Sequence, residues 1–279
     1  MTVINTNIKS LMASNALNMN GRVQQNTMES LSTGKRINRA SDDAAGMSIR
    51  ETMTSQINGL NAAVRNANDG ISLLQTADGA LNEVSTMMQR MRELATLSRS
   101  DTYSSVQKTA LNDEYVQLAA EIDRIGVKTQ WNGMNVLDGS GGVGGTTTGN
   151  FEFQIGANAG DTYQVSIASM LTSAIFNLDT TSIASAGGAS GAISALDDAL
   201  STLNAQRSTI GAAVNRLTHA VDNLTNVSQN TSDSRSKVED TDYAAATSEL
   251  ARQQIIQQAA TAILAQANQQ QQSVLSLLK

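Results

Sequence analysis

The sequence contains no proline in 279 residues. Proline is the residue that most strongly interrupts a helix, because its ring fixes φ and removes the backbone N–H donor. A chain without proline can therefore form helices much longer than the globular average of about 11–12 residues. Hydrophobic periodicity then indicates where those helices lie.

Apolar residues between positions 44 and 98 recur at alternating intervals of three and four. This spacing places them along one stripe and predicts a single amphipathic helix. At about 1.5 Å per residue the helix would reach roughly 80 Å, which a small globular core does not require. A second helix is predicted from 105 to 125. The stripe of the first helix comprises Ile57, Leu60, Val64, Ala67, Ile71, Leu74, Leu81 and Met88.

The middle of the chain, from about 132 to 191, has a different character. The stretch 138–149 is rich in glycine, which predicts a loop. Apolar residues alternate with polar ones at 151–155 and again at 163–167, and a turn-rich segment lies between them. This pattern is typical of a β-hairpin.

Helical spacing returns from 192 to 230 and again, after a polar stretch at 232–242, toward the C-terminus. A weaker version occupies residues 1–33. An isolated amphipathic helix gains little stability, so we expect these apolar seams to need partners. The terminal seam that we expect to support assembly comprises Ile4, Ile8, Leu11, Ile256, Ile263, Ala267, Val274 and Leu277.

These patterns predict a mainly α fold, in which the N- and C-terminal segments form a long antiparallel helical bundle or coiled coil with a small β-hairpin region in the middle. We expect residues 1–43 and 233–279 to form one terminal coiled-coil domain, with a connector at 32–43. Because its seams are thin and made of small residues, this domain is expected to be disordered in the monomer and to order within an assembly. Residues 44–232 would form a rod-like helical domain.

Composition argues against several functional classes. The formal net charge is −6, whereas nucleic-acid binding requires clustered Lys and Arg. No run of about 18 apolar residues predicts a membrane span, and the N-terminus lacks the features of a cleaved signal peptide. There is no cysteine and only one histidine, His219, and nucleotide-binding and hydrolase motifs are missing. We therefore expect no enzymatic activity, no metal and no cofactor.

Long motifs at both ends resemble those of bacterial flagellins, the subunits of the flagellar filament. At the front these are INTN at 4–7, SLSTGKRINRASDDAAGMSI at 30–49, NANDGISLLQTADGALNE at 66–83 and QRMRELA at 89–95. At the back they are DYAAATSELARQQIIQQA at 242–259 and AILAQANQQQQSVLSLLK at 262–279.

The resemblance implies that the outermost ends form an inner coiled-coil layer lining the filament channel. The rod would surround that layer and the Gly-rich middle would face outward. This chain resembles a short form without large outer domains. Relatives often carry proline near the position of Gln271, so the final helix here is expected to continue toward Lys279.

The resemblance also implies a function, namely polymerisation with copies of itself into the extracellular filament used for motility. The chain would be secreted without a cleaved signal peptide, exported unfolded, and folded at the filament tip. Expected partners are the export apparatus, a flagellin-specific export chaperone at the C-terminus, the filament cap and the hook-junction proteins. Two alternatives stay open: a hook–filament junction protein, and a coiled-coil adaptor that does not polymerise.

Two groups of residues are candidate functional sites. The connector is either a solvated charged linker or a packed segment that contacts neighbouring subunits; its residues are Gly34, Lys35, Arg36, Arg39, Asp42 and Asp43. The second group matches positions by which flagellins are recognised by a Toll-like receptor of animal hosts, although the same residues could serve only packing between subunits. It comprises Gln89, Arg90, Glu93, Leu94 and Glu114.

Overall fold

The computed structural model describes residues 6–141, 148–172 and 182–276. Within these ranges the chain is mainly α-helical, with two antiparallel hairpins between the third and fourth helices, so the predicted fold class is confirmed. The helices are α1 (Ile8–Thr33), α2 (Ala44–Arg99), α3 (Ser105–Lys128), α4 (Ala186–Glu239) and α5 (Tyr243–Ser276). The strands are β1 (Gln130–Trp131), β2 (Met134–Asn135), β3 (Thr148–Gln154) and β4 (Thr162–Ala168).

The chain divides into two compact units. A terminal unit comprises residues 1–55 and 230–279, and a central unit comprises residues 56–229. The boundaries expected from sequence, at 43 and 233, differ from these by several residues. The first turns of α2 belong to the terminal unit, where Arg50 and Thr54 contact Glu239 and Arg235 in the last turns of α4.

The core of the central unit lies where α2, α3 and α4 pack together with the hairpins. Along α2 the three-four spacing is confirmed, since most of the predicted stripe is buried. Arg207, which interrupts the apolar seam of α4, forms an ion pair with Asp78 at 2.9 Å and so stays at the edge of this core. Side chains with no exposed surface include Leu74, Leu81, Met88, Ile122, Leu137, Ile167, Leu196, Leu203 and Leu217.

Helix α4 is longer than its apolar pattern predicted, since it spans Ala186–Glu239 instead of 192–230. At its start the Ser185 hydroxyl accepts a hydrogen bond from the backbone N–H of Gly188 at 3.2 Å, and this capping allows the helix to begin among glycines. Near its end, in the polar stretch, Arg235 donates to the Thr54 hydroxyl at 3.3 Å. Capping and tertiary contacts thus accompany the helical residues that apolar periodicity did not predict.

Both hairpins have definite registers. In the longer one, Phe151 pairs with Val165 and Phe153 with Tyr163, which confirms the predicted alternation. In the shorter one, β1 and β2 are joined by Asn132 and Gly133, both with positive φ (49° and 78°). Those backbone angles are those of the two-residue hairpin turn that Asn-Gly sequences favour.

In the terminal unit, α1 packs along α5 in an antiparallel direction. Asn7 near the start of α1 donates to the carbonyl of Ala267 at 3.2 Å, and Asn20 in the middle donates to that of Gln253 at 2.9 Å. As residue numbers rise along α1, those of its partners on α5 fall. The predicted antiparallel pairing of the chain ends is therefore present within one chain.

We expect Leu81→Ala to lower the free energy of unfolding of the central unit by about 2–5 kcal/mol, because it leaves a cavity at a fully buried position of α2. Denaturant titration followed by circular dichroism measures this change. Val106→Ala is the control, since Val106 on α3 is 78% exposed and its truncation should change the free energy by no more than about 0.5 kcal/mol. Equal effects of the two substitutions would contradict this description of the core.

Candidate functional site

Most of the exposed large apolar side chains on the described part of the chain lie in the terminal unit. Four seam residues predicted from sequence are among them: Ile8 (55% exposed), Leu11 (63%), Ile256 (42%) and Ile263 (57%). The other exposed large apolar side chains on α1 and on residues 243–270 of α5 are Met12, Met19, Val23, Met28, Tyr243 and Ile255. We call these ten residues the terminal apolar surface.

Small residues occupy the contact between α1 and α5 instead. Ala13, Ala260 and Ala267 are buried there, so Ala267 of the predicted seam belongs to this contact and not to the exposed surface. Ile4 and Leu277 lie outside the described residues, and Val274 lies within α5. Leu17 and Leu264 of the two helices are only partly buried. The ten residues of the terminal apolar surface stay exposed, so their burial against another partner would contribute further hydrophobic free energy.

Polar contacts fix how α1 lies on α5. Asn20 is buried, and its amide donates to the backbone carbonyl of Gln253, which is buried as well. Asn7 caps α1, because its side-chain oxygen accepts from the backbone N–H of Ser10 at 3.0 Å while its amide reaches α5. A buried asparagine between helices specifies register at some cost in stability.

The connector is held to the segment that joins α4 to α5. Gly34 ends α1 with φ 72°, and its carbonyl accepts from the backbone N–H of Thr241 at 3.0 Å. The backbone N–H of Arg36 donates to the carbonyl of Glu239 at 2.6 Å, and Lys35 forms a β-bridge with Asp240. The connector is thus packed by backbone hydrogen bonds, which favours the packed alternative over a solvated linker.

Acidic side chains shape the rest of the connector. Asp42 accepts from the backbone N–H groups of Asn38 and Arg39, at 3.1 and 2.9 Å, and so closes a turn. Asp43 precedes α2 and accepts from the backbone N–H of Gly46 at 2.9 Å, which caps that helix. The Arg39 guanidinium pairs with Glu29 of α1 at 2.6 Å. A role in contacting neighbouring subunits stays a prediction.

A buried carboxylate stands at the centre of the connector's charges. The side chain of Glu239 is 7% exposed, and one of its oxygens lies 2.5 Å from the Lys35 ammonium and 3.6 Å from Arg50. Arg235 approaches the other oxygen at 3.9 Å. Sequence reasoning found Lys35 but missed the other three; the Arg235–Glu239 spacing of four within a helix was the available signal.

The receptor-like group forms an exposed ion cluster over a buried leucine. Arg90 donates to Glu114 of α3 at 2.9 Å and to Glu93 at 2.7 Å. The hydrogen bond to Glu93, followed by that to Glu114, raises the pKa of Arg90 above its ordinary value. Gln89 is exposed beside them, whereas Leu94 has no exposed surface and belongs to the core.

Within residues 6–141, 148–172 and 182–276, no cluster of three or more His, Asp or Glu side chains is arranged to hold a metal ion. None of the described helices combines the length and apolar character needed to cross a membrane.

Family models match both ends of the chain. Residues 4–141 match the bacterial flagellin N-terminal helical region, and residues 193–278 match the bacterial flagellin C-terminal helical region. A flagellin of Halalkalibacterium halodurans is 44% identical over 278 residues, which cover 99% of this chain and 100% of that protein. A flagellar filament 31.3 kDa core protein of Treponema maltophilum is 40% identical, over 99% of this chain and 100% of its own length.

Among solved structures, the chain is similar to a flagellar hook-associated protein of Vibrio parahaemolyticus, with a TM-score of 0.59. The match covers 71% of this chain and 100% of that one, at 12% sequence identity. At that identity the likeness concerns the fold alone.

We expect Glu239→Gln to weaken the attachment of the connector by about 1–3 kcal/mol, because Lys35 and Arg50 would lose their shared buried carboxylate. Hydrogen exchange of the Arg36 and Thr241 N–H groups measures this, since both donate across the attachment. Glu51→Gln is the matched control: Glu51 also pairs with Arg50 but is 65% exposed, so exchange should change by no more than about 0.5 kcal/mol. Unchanged exchange in Glu239→Gln would contradict the role given to this carboxylate.

Proposed function

Because the chain belongs to the bacterial flagellin family, we propose that it is a structural subunit that polymerises into a flagellar filament. The observation that carries this proposal is the terminal apolar surface, which α1 and α5 leave exposed although they pack on each other. Such a surface is covered when further copies of the chain bind to it. Contacts between different patches on successive copies generate a helical polymer when the rotation from one copy to the next does not close a ring.

The different packing of the two units supports the same proposal. The central unit buries a continuous apolar core and is expected to fold within one subunit. In the terminal unit, by contrast, the buried apolar residues described on α1 and α5 are alanines, so we expect this pairing to be weak in one subunit and to be stabilised when further subunits bind. In this proposal the role of the chain is structural and involves no catalysis.

Export and location follow from the proposed role. The chain would pass unfolded through the export apparatus, accompanied by a chaperone that binds its C-terminal segment, and would fold at the tip beneath the filament cap. It would then lie outside the cell, with hook-junction proteins at the base of the filament. A chain without cysteine forms no disulfides that would hinder threading, and one without proline avoids slow isomerisation on refolding.

The alternatives receive less support. A hook–filament junction protein would share the helical ends, but the likeness to the Vibrio hook-associated protein rests on 12% identity. Relatives matched over nearly the whole chain at 44% and 40% identity are a flagellin and a filament core protein. A coiled-coil adaptor would need an apolar surface for only one partner. Here exposed apolar side chains lie on both α1 and α5, which suits binding to more than one neighbouring chain.

We expect Ile263→Gln to raise the concentration needed for polymerisation about tenfold or more. Ile263 is exposed in one chain, and burying one isoleucine side chain at a subunit interface contributes about 1.5–3 kcal/mol. Sedimentation of filaments seeded with short fragments measures this concentration. Gln257→Ala is the matched control, since Gln257 is an exposed polar residue of the same helix and its truncation should leave polymerisation unchanged.

Deletion of residues 1–30 and 240–279 extends the test. The shortened chain should keep the helical signal of the central unit and form no filaments. Filament formation by this chain would overturn the role proposed for the ends.

We also propose that the exposed cluster of Arg90, Glu93 and Glu114 is a surface that a host Toll-like receptor can bind. The observation that favours it is geometric: α2 and α3 present one guanidinium and two carboxylates together, and about half of each side chain is exposed. Gln89 would extend this surface. The buried Leu94 would act indirectly, by holding this face of α2 in place.

We expect the double substitution Arg90→Ala and Glu114→Ala to raise the half-maximal concentration for receptor activation about tenfold or more, because charged hydrogen bonds at the centre of an interface dominate its affinity. A reporter-cell assay with purified protein measures this. Glu121→Ala with Arg124→Ala is the matched control, because these residues form an exposed ion pair on α3 away from the cluster. An equal loss in both variants would contradict the proposal.

A further inference from the structure

The chain contains three Asn-Gly dipeptides, at 20–21, 58–59 and 132–133. An asparagine followed by glycine is the sequence most prone to spontaneous ring closure, because glycine has no side chain to block its own backbone nitrogen. That nitrogen can attack the side-chain amide carbon of the preceding asparagine and form a five-membered ring. The three dipeptides therefore share the same local chemistry, and the structure decides which of them can react.

Two of the dipeptides lie inside long helices. Gly21 belongs to α1 and Gly59 to α2, so the helix holds each glycine N–H in a backbone hydrogen bond and fixes the backbone around it. Asn20 is also buried, with its amide bound to the carbonyl of Gln253. Asn58 is exposed, so it differs from the third asparagine mainly in its backbone conformation.

The third dipeptide forms the turn between β1 and β2. Asn132 and Gly133 are both exposed, and they are the two central residues of the turn. The ladder of this hairpin has two residue pairs, Gln130 with Asn135 and Trp131 with Met134. Its base is anchored by the hydrogen bond from the Val136 N–H to the Thr129 carbonyl at 3.1 Å, and Val136 is fully buried. Asn132 and Gly133 themselves lie outside the ladder and are exposed, so the tip can distort while the base of the hairpin stays anchored, and the turn can reach the geometry of ring closure.

We propose that Asn132 is a site of spontaneous deamidation in the folded protein. The Gly133 nitrogen forms a bond to the side-chain carbon Cγ of Asn132. The Cγ–Nδ2 bond breaks, and Nδ2 leaves as ammonia after gaining the proton that the Gly133 nitrogen loses. Water then opens the resulting succinimide at either carbonyl and yields aspartate or isoaspartate. The reaction needs only water and mild base.

The product changes a defined part of the central unit. Asn132 lines a surface pocket together with Asp69, Leu73, Trp131, Met134 and Phe153. A carboxylate at position 132 would place a second negative charge on the rim that Asp69 already occupies. Isoaspartate would also lengthen the main chain by one methylene within a two-residue turn, so the pairing of Trp131 with Met134 could not keep its register.

Incubation of the full-length protein in mildly alkaline buffer, followed by proteolysis and peptide mass spectrometry, tests the proposal at all three sites at once. Conversion of Asn132 should be about tenfold or more faster than that of Asn58 and Asn20, because reaction in a helix requires local unfolding. Water labelled with oxygen-18 should be incorporated at position 132. Trp131, the only tryptophan of the chain, should change its fluorescence with the same rate constant.

Incubation in denaturant provides the internal control, because it removes the structural difference while the dipeptides stay the same. The three rates should then converge. The proposal is overturned if Asn132 in the folded chain reacts no faster than Asn58, or if the order of the three rates is unchanged in denaturant. Asn58→Asp is the matched charge control for the fluorescence readout, because it adds the same charge at another exposed site and should leave Trp131 unaffected.

Discussion

The contact between α1 and α5 has alanines, an asparagine and a glutamine as its buried residues, with leucines only partly buried beside them, and the role proposed for the terminal unit depends on this sparing use of apolar area. Because the two helices bury their small residues, their isoleucines and methionines stay exposed. One arrangement therefore leaves a modest contact inside the chain and an exposed apolar surface that the proposed polymerisation would cover.

The connector joins the α1–α5 pair to the first turns of α2 and the last turns of α4, which complete the terminal unit. Glu239 is the last residue of α4. Its carboxylate forms ion pairs with Lys35 of the connector, Arg50 near the start of α2 and Arg235 of α4 itself. A carboxylate buried at such a junction defines one geometry, because its partners must all stay close to satisfy it. The backbone bonds of Gly34 and Arg36 then align the exit of α1 with the entry to α5.

Sequence reasoning succeeded where one physical signal dominates and failed where tertiary contacts decide. The stripe of α2 and the hairpin of β3 and β4 follow from periodicity, since Leu81 and Val165 are buried as their spacing requires. The polar end of α4 carries no such apolar periodicity, and its helix is accompanied by contacts of Arg235 and Glu239 with residues distant in sequence. In the candidate site, Ile263 and Ala267 belong to one seam by spacing, yet one is exposed and the other buried. A weakly amphipathic helix has no single apolar face that periodicity could assign.

The antiparallel course of α1 along α5 also determines where the chain can carry an addition. The first described residues lie beside the last turns of α5, as the contact of Asn7 with Ala267 shows. An addition beside Asn7 or beside Ala267 would therefore lie close to the contact between α1 and α5 and to the terminal apolar surface, which we propose binds neighbouring copies. The turn between β3 and β4 has exposed residues from Ala157 to Asp161 and ends no helix. A guest peptide placed there would leave both chain ends unaltered, so this turn is the natural position for displaying one.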